Sequence, residues 1–214
     1  MFKDIKREIT RKFLELKLWV TNIPPGTPGN DFEAISFGLF FVYIYGIYEE
    51  SIRRITSETI EGLNNSNVTI DKCIYELYTV IFSAEYDSLY NVGNEHKWEK
   101  RWEISRKMLD NSIISIPNDI FPTDGKNIRY RQLESIANSF GMKKDILPRA
   151  EIGGYIQEMV NNRNYIAHGN KSPREVGRNY TRDELLQRCT FISEVCTYIV
   201  DVYEQYISNR EFLR

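Results

Sequence analysis

Three side chains near residue 165 have the types and spacing that proton and phosphate chemistry needs. The run Glu158-Met-Val-Asn-Asn-Arg163-Asn164-Tyr165-Ile166-Ala167-His168-Gly169 puts an Arg, an Asn and one of only two histidines on what reads as the last turns of a helix. On an ideal helix Asn164 and His168 are four apart and share a face. From Arg163 to His168 the rise is about 7.5 Å, which a long guanidinium can cover. One phosphate could therefore touch Arg163, Asn164 and His168 together. Cutting RNA without a metal needs a group to take the 2′-OH proton, a group to protonate the leaving 5′-oxygen, and positive charge on the phosphorane. Histidine titrates near neutrality and suits the proton transfers. Arginine is permanently charged and bidentate, so it suits the phosphate. Asn164 can orient the His or donate to a phosphate oxygen. His168 at a helix C-terminus faces the negative end of the dipole, which favours its protonated form and helps an acid more than a base. With one such His per chain, an acid–base pair is built most simply from two subunits.

The flank supports phosphate chemistry. Residues 163–182 hold Arg163, Lys171, Arg174, Arg178 and Arg182 against the single acid Glu175, a local net of +4 in a chain of net −2. This reads as a mobile basic loop beside the six-residue run Arg163–His168, the hexad. Tyr165 and Tyr180 could stack on bases. His96, in Glu95-His96-Lys97-Trp98, reads as a surface residue. No zinc site can be assembled from two histidines and scattered thiols, and no cofactor is implied. A phosphate-binding Gly loop, a nucleophile elbow and the kinase motifs are all missing from the sequence.

The elements that must position these residues read as helices. Ile5, Ile9, Phe13, Leu16 and Val20 recur at three- and four-residue steps, so 3–21 is amphipathic. Pro24-Pro25-Gly26-Thr27-Pro28-Gly29 stops it. A long helix follows from about 31 to 61, with Asn30 as N-cap. Further helices are expected at 70–90, with Ile74, Leu77, Tyr78, Ile81 and Phe82 on one face, and at 96–113, with Trp98, Trp102 and Leu109 inward. A short strand at 113–116 is a weak alternative. Ser115–Gly125 is irregular, because two prolines and a glycine forbid a continuing helix. Asn127 can cap a helix over 128–140, closed by Gly141. The hexad helix spans about 150–168, and Gly169 sits where a left-handed C-cap belongs. Thr181-Arg-Asp-Glu184 is a capping box opening a final helix, 181–208, with Leu185, Phe191, Ile192, Val195, Ile199, Val200 and Tyr203 inward. The expected architecture is an all-α bundle of six or seven helices in one domain over 1–214, with the helix of residues 1–22 as a candidate extension.

A length of 214 residues suits one domain with a real core. A chain without net positive charge is not a general nucleic-acid coat, so RNA binding has to come from a local patch. Cys73, Cys189 and Cys196 form no metal-type pair, and Cys189 and Cys196 lie roughly 10 Å apart along one helix, too far for a disulfide. Three scattered thiols suit a reducing cytoplasm. Met1-Phe-Lys-Asp-Ile-Lys-Arg is not a signal peptide. The most apolar stretch, 35–48, is too short to span a bilayer and reads as a buried core helix, so no membrane partner is expected.

Arg163-Asn-x-Ile-Ala-His168-Gly on a helix late in an all-α chain resembles the hexad of the HEPN superfamily. Glu158 stands where some HEPN ribonucleases carry Glu-x-x-x-Lys-Arg, with Asn162 here replacing the Lys. Tyr45-Gly-Ile-Tyr-Glu49-Glu50 resembles their upstream helix, in which a Glu ends an apolar run, and Glu49 matches that acid. Asn127-Ile-Arg129, followed by a helix ending at Phe140-Gly141, is similar to HEPN-type proteins of bacterial conflict systems. The resemblance implies a helical bundle that dimerises to bring two hexads into one cleft. It also implies metal-independent endoribonuclease activity leaving a 2′,3′-cyclic phosphate and a 5′-OH, and a partner such as an antitoxin or a phage-defence component. Two other readings stay open: a non-catalytic module that binds RNA, nucleotide or a partner, and a helical interaction protein.

Overall fold

The computed structural model describes residues 2–118, 120 and 127–214. Part of the irregular segment at 115–125 therefore lies outside the described residues. Among them are nine α-helices and no strand: α1 (Phe2–Asn22), α2 (Phe32–Asn64), α3 (Tyr78–Ile81), α4 (Ser83–Asn91), α5 (Lys97–Lys107), α6 (Tyr130–Ser139), α7 (Ile152–Ala167), α8 (Pro173–Gly177) and α9 (Arg182–Ser208). Two 3₁₀ turns, Ile70–Lys72 and Asn94–His96, precede α3 and α5. The all-α reading holds.

α2 is the hub. Its inner face, including Phe37, Phe40, Phe41, Ile44, Tyr48 and Ile52, is buried among α1, α7, α8 and α9. The helical spacing of those residues on a hydrocarbon-rich face is what drives the packing. α1 buries the predicted stripe of Ile5, Ile9, Phe13, Leu16 and Val20. It is tied to α9 by Lys6–Asp201 at 2.6 Å, and to α2 by Lys12–Glu50 at 2.5 Å and by Arg54–Glu8. By length and composition α2 could cross a membrane, but half of its apolar window is buried inside the bundle.

α8 reaches α2 more closely than side chains usually allow. A Cβ on Gly38 would lie 2.0 Å from the Pro173 carbonyl oxygen, and one on Gly177 would lie 1.8 Å from that of Ala34. Two glycines facing each other let the backbones touch. Asp31, just before α2, then pairs with Arg174 at 3.0 Å and with Arg178 at 2.9 Å.

Several expected elements come out differently. The helix expected at 70–90 breaks into the 3₁₀ turn, an extended stretch, α3 and α4. Tertiary pairing overrides its periodicity: Ile74 N–H donates to the Phe212 carbonyl, and Arg214 N–H donates to that of Lys72. Residues 113–116 form only an isolated bridge, Thr69 to Ile113. Trp98, Trp102 and Leu109 are exposed at 73%, 49% and 81%, so the inward assignment fails. α5 instead buries Ile104 and sends Lys107 to Glu85 of α4 at 2.7 Å. The indoles are left outside, under the guanidinium groups of Arg101 and Arg106. Phe191 is only partly buried. Asn127 caps nothing, and α6 starts two residues later than expected, without a side-chain cap.

Candidate active site

The hexad sits on the last turns of α7. Ile152, Ile156, Met159 and Val160 bury one face of this helix, which leaves Arg163, Asn164 and His168 toward the surface. The helix ends at Ala167, with His168 as C-cap. Gly169 takes φ +70°, its N–H donates to the Ile166 carbonyl, and Lys171 N–H donates to that of Tyr165. A left-handed glycine closing the helix was the sequence expectation, and it places His168 on the rim. The imidazole is exposed and makes no hydrogen bond among the described residues.

Arg163 is held from two sides. Its guanidinium carbon lies 4.9 Å from the centre of the Tyr45 ring on α2, and its Nη1 donates to Asn164 Oδ1 at 3.0 Å. Asn127 Nδ2 donates to the same oxygen at 3.2 Å. The Tyr45 hydroxyl accepts from Ile128 N–H at 3.3 Å. Burial pushes the Tyr45 phenol above its ordinary range and nearby Glu49 adds to this, while the Ile128 N–H and Arg163 pull the other way. Tyr45 thus stays a neutral aromatic floor for the cation.

Glu49 lies one turn beyond Tyr45. It is partly exposed, 3.5 Å from Arg53, and makes no hydrogen bond to the hexad. Glu158 meets neither Asn162 nor Arg163. Its carboxylate accepts from Arg188 Nε at 2.8 Å and Nη2 at 3.0 Å on α9, and from the Tyr180 hydroxyl at 3.0 Å. Asn162 Nδ2 donates to that same hydroxyl at 2.7 Å. Burial works against the Arg188 cation, but the hydrogen bonds and charge of Glu158 outweigh it and raise its pKa. Burial likewise raises the Tyr180 phenol. The carboxylate braces α7 against α9.

The basic flank is ordered rather than loose. Ser172 and Glu175 form a capping box that opens α8 with Pro173 at its start. The Ser172-Pro-Arg-Glu175 spacing was a readable signal for this helix. Arg174 and Arg178 pair with Asp31. Arg182 donates to the carbonyls of Thr21 at 2.8 Å and Ile23 at 2.6 Å and meets Glu33 at 3.3 Å. Lys171 differs: its Nζ lies 4.8 Å from the centre of the Tyr165 ring, close to His168 in sequence. Tyr45 and Asn127 lie in runs that the sequence singled out by resemblance, but their contacts with the hexad helix, and any part for Arg188, were not readable there. Each joins the hexad helix across a long stretch of chain.

An all-helical bundle with Arg-x-x-x-x-His at a helix end, closed by a left-handed glycine, defines an HEPN-type domain. The family model RiboL-PSP-HEPN matches residues 7–205, and the chain belongs to that family. Neither a curated protein nor a solved structure matches the chain.

Proposed function

We propose that this protein is an endoribonuclease whose chemistry is carried by Arg163, Asn164 and His168. The carrying observation is their joint placement at the end of α7, with the His168 imidazole exposed and committed to no partner among the described residues. Arg163 holds the scissile phosphate. A base takes the 2′-OH proton, the 2′-oxygen bonds to phosphorus, and the P–O5′ bond breaks as an acid protonates the leaving oxygen. The products are a 2′,3′-cyclic phosphate and a 5′-OH, with no redox change. His168 of one copy and its equivalent in a second copy supply base and acid, so the working form is a homodimer. No metal is required by these steps. Lys171 and Tyr165 flank the bound strand. Arg174, Arg178 and Arg182 hold α8 and the start of α9 in place, and their exposed edges add positive field. Glu158 enters this reading through its hold on Arg188 of α9, and Glu49 as an acid one turn beyond Tyr45.

An exposed RNA-cutting centre has to be restrained in a cell. We assign the protein to the toxin or defence-effector class, acting in the cytoplasm with a partner that covers the cleft. The test is cleavage of end-labelled RNA in excess EDTA. Wild type cuts, while Arg163→Ala and His168→Ala each fall by about 100-fold or more. Full activity in both variants overturns the reading. RNA binding without any product moves the assignment to a non-catalytic binding module.

A further inference from the structure

The hydrogen bonds around Asn164 fix which end of its amide faces outward. Arginine has donors only, so the Asn164 atom 3.0 Å from Arg163 Nη1 has to be the oxygen. Asn127 Nδ2 donates to that oxygen from the opposite chain segment at 3.2 Å. With two donors on Oδ1, the NH2 group is turned away. It donates to nothing among the described residues and is not one of the buried, unpartnered polar atoms. Asn164 lies four residues before His168, so the two side chains share a face of the helix.

Asn127 belongs to a three-residue strap. Its neighbour Ile128 donates its N–H to the Tyr45 hydroxyl, and the Tyr45 ring lies under Arg163. Arg129 Nη1 donates to Asn161 Oδ1 at 2.8 Å, one turn back on α7. Ile128 is fully buried, which anchors the strap. Residues 127–129 thus touch both supports of Arg163, the ring and the amide.

We infer that Asn127 is a positioning residue of the hexad: with Arg163 it fixes the Asn164 amide with its oxygen inward and its NH2 outward, as a donor to a non-bridging oxygen of the scissile phosphate. This rests on the ribonuclease reading for its catalytic consequence and on geometry alone for the binding one. Asn164 is then a donor to substrate, not an acceptor that orients His168. The arrangement is pre-formed, so binding costs no reorientation of the amide.

Two measurements on the full chain test it separately. The first follows the Asn164 side-chain NH2 signals in 15N NMR, assigned by their loss in Asn164→Asp, during titration with inorganic phosphate. Wild type shifts, and Asn127→Ala shifts less at the same phosphate concentration. No shift of these signals in wild type overturns the donor assignment, whether or not RNA is cut. The second compares kcat and KM for labelled RNA. Asn127→Ala loses about tenfold in kcat with KM little changed. Asn127→Asp keeps the shape but can only accept, so it draws the Asn164 NH2 inward and falls below Asn127→Ala. Wild-type kcat in Asn127→Ala, or recovery in Asn127→Asp, overturns the positioning role. If wild type itself does not cut, the ribonuclease reading falls while the phosphate titration still decides the geometry.

Discussion

Glu158 decides how much of the site is chemistry and how much is scaffolding. Its two oxygens take three donors, two from Arg188 and one from Tyr180. The pair is largely covered, with 14% of the Arg188 side chain and 29% of the Glu158 side chain exposed. Removing Arg188 leaves a carboxylate in a half-dry seat with one hydroxyl for company. Arg188→Ala is therefore expected to cost about 2–3 kcal/mol in urea unfolding, as a lower midpoint with an unchanged slope. Glu158→Gln keeps an acceptor oxygen and costs about 1 kcal/mol. RNA cleavage by Glu158→Gln well below its melting temperature stays near wild type. A hundredfold loss of cleavage with unchanged stability would instead make Glu158 a group that acts on substrate. Arg163, Asn164 and His168 were legible because their relation is local, set by helix spacing and a glycine stop. The contacts of Asn127, Arg188 and Tyr45 were not, since each closes a long loop that no local pattern records.

Helix boundaries were most legible where local chemistry and packing agree. α1 and α9 carry a clean apolar stripe or a capping box and keep their expected limits within a few residues. The segment at 70–90 failed because residues 72–74 pair with 212–214, a partner no window of sequence contains. α5 failed by face, not by type, since its two tryptophans are bound by neighbouring arginines on the helix surface rather than by a core. α8 could have been read from its capping box, yet five residues make a helix only if something holds it. The holding contact is the Gly38–Gly177 approach to α2. Gly38→Ala would force a Cβ into the Pro173 carbonyl. α8 then has to move, at a cost of about 3 kcal/mol or more. For a chain of this length that is a fall of roughly 6–12 °C in Tm by calorimetry. Gly46→Ala on the same helix has open space at its Cβ and is expected to leave Tm within a few degrees of wild type. Because alanine is the better helix former, propensity alone would raise Tm in both variants, and a Gly38→Ala protein as stable as Gly46→Ala would show that the close approach costs nothing.

At the scale of the whole molecule, α2 has a second apolar face that the bundle does not use. Ile35, Leu39, Val42 and Tyr43 are each about two-fifths exposed or more. Trp19 of α1 stands edge-on to Tyr43 at 6.2 Å. The spacing of 35, 39 and 42 draws a line along the helix, and it runs to within a turn of Tyr45, whose ring lies under Arg163. An exposed apolar line of this kind is a candidate interaction surface, and the proposed dimer assigns it to a second copy. In the proposed homodimer a second copy packs on this line about a twofold axis, the same residues meeting from both sides, and is expected to bring its His168 toward the first. The second proton-transfer group of the proposed mechanism then comes from the symmetry, with no second histidine needed in the chain. Leu39→Glu puts a charge at the middle of the line and is expected to shift the protein to monomer in sedimentation equilibrium at micromolar concentration. RNA cleavage is expected to fall with the dimer, and both are expected to recover together as protein concentration rises. Trp98→Glu changes a still more exposed aromatic on α5, outside this line, and is expected to leave the dimer intact. A monomer that cuts at full rate would require both proton transfers to be supplied within one chain, and the composite cleft would then be wrong.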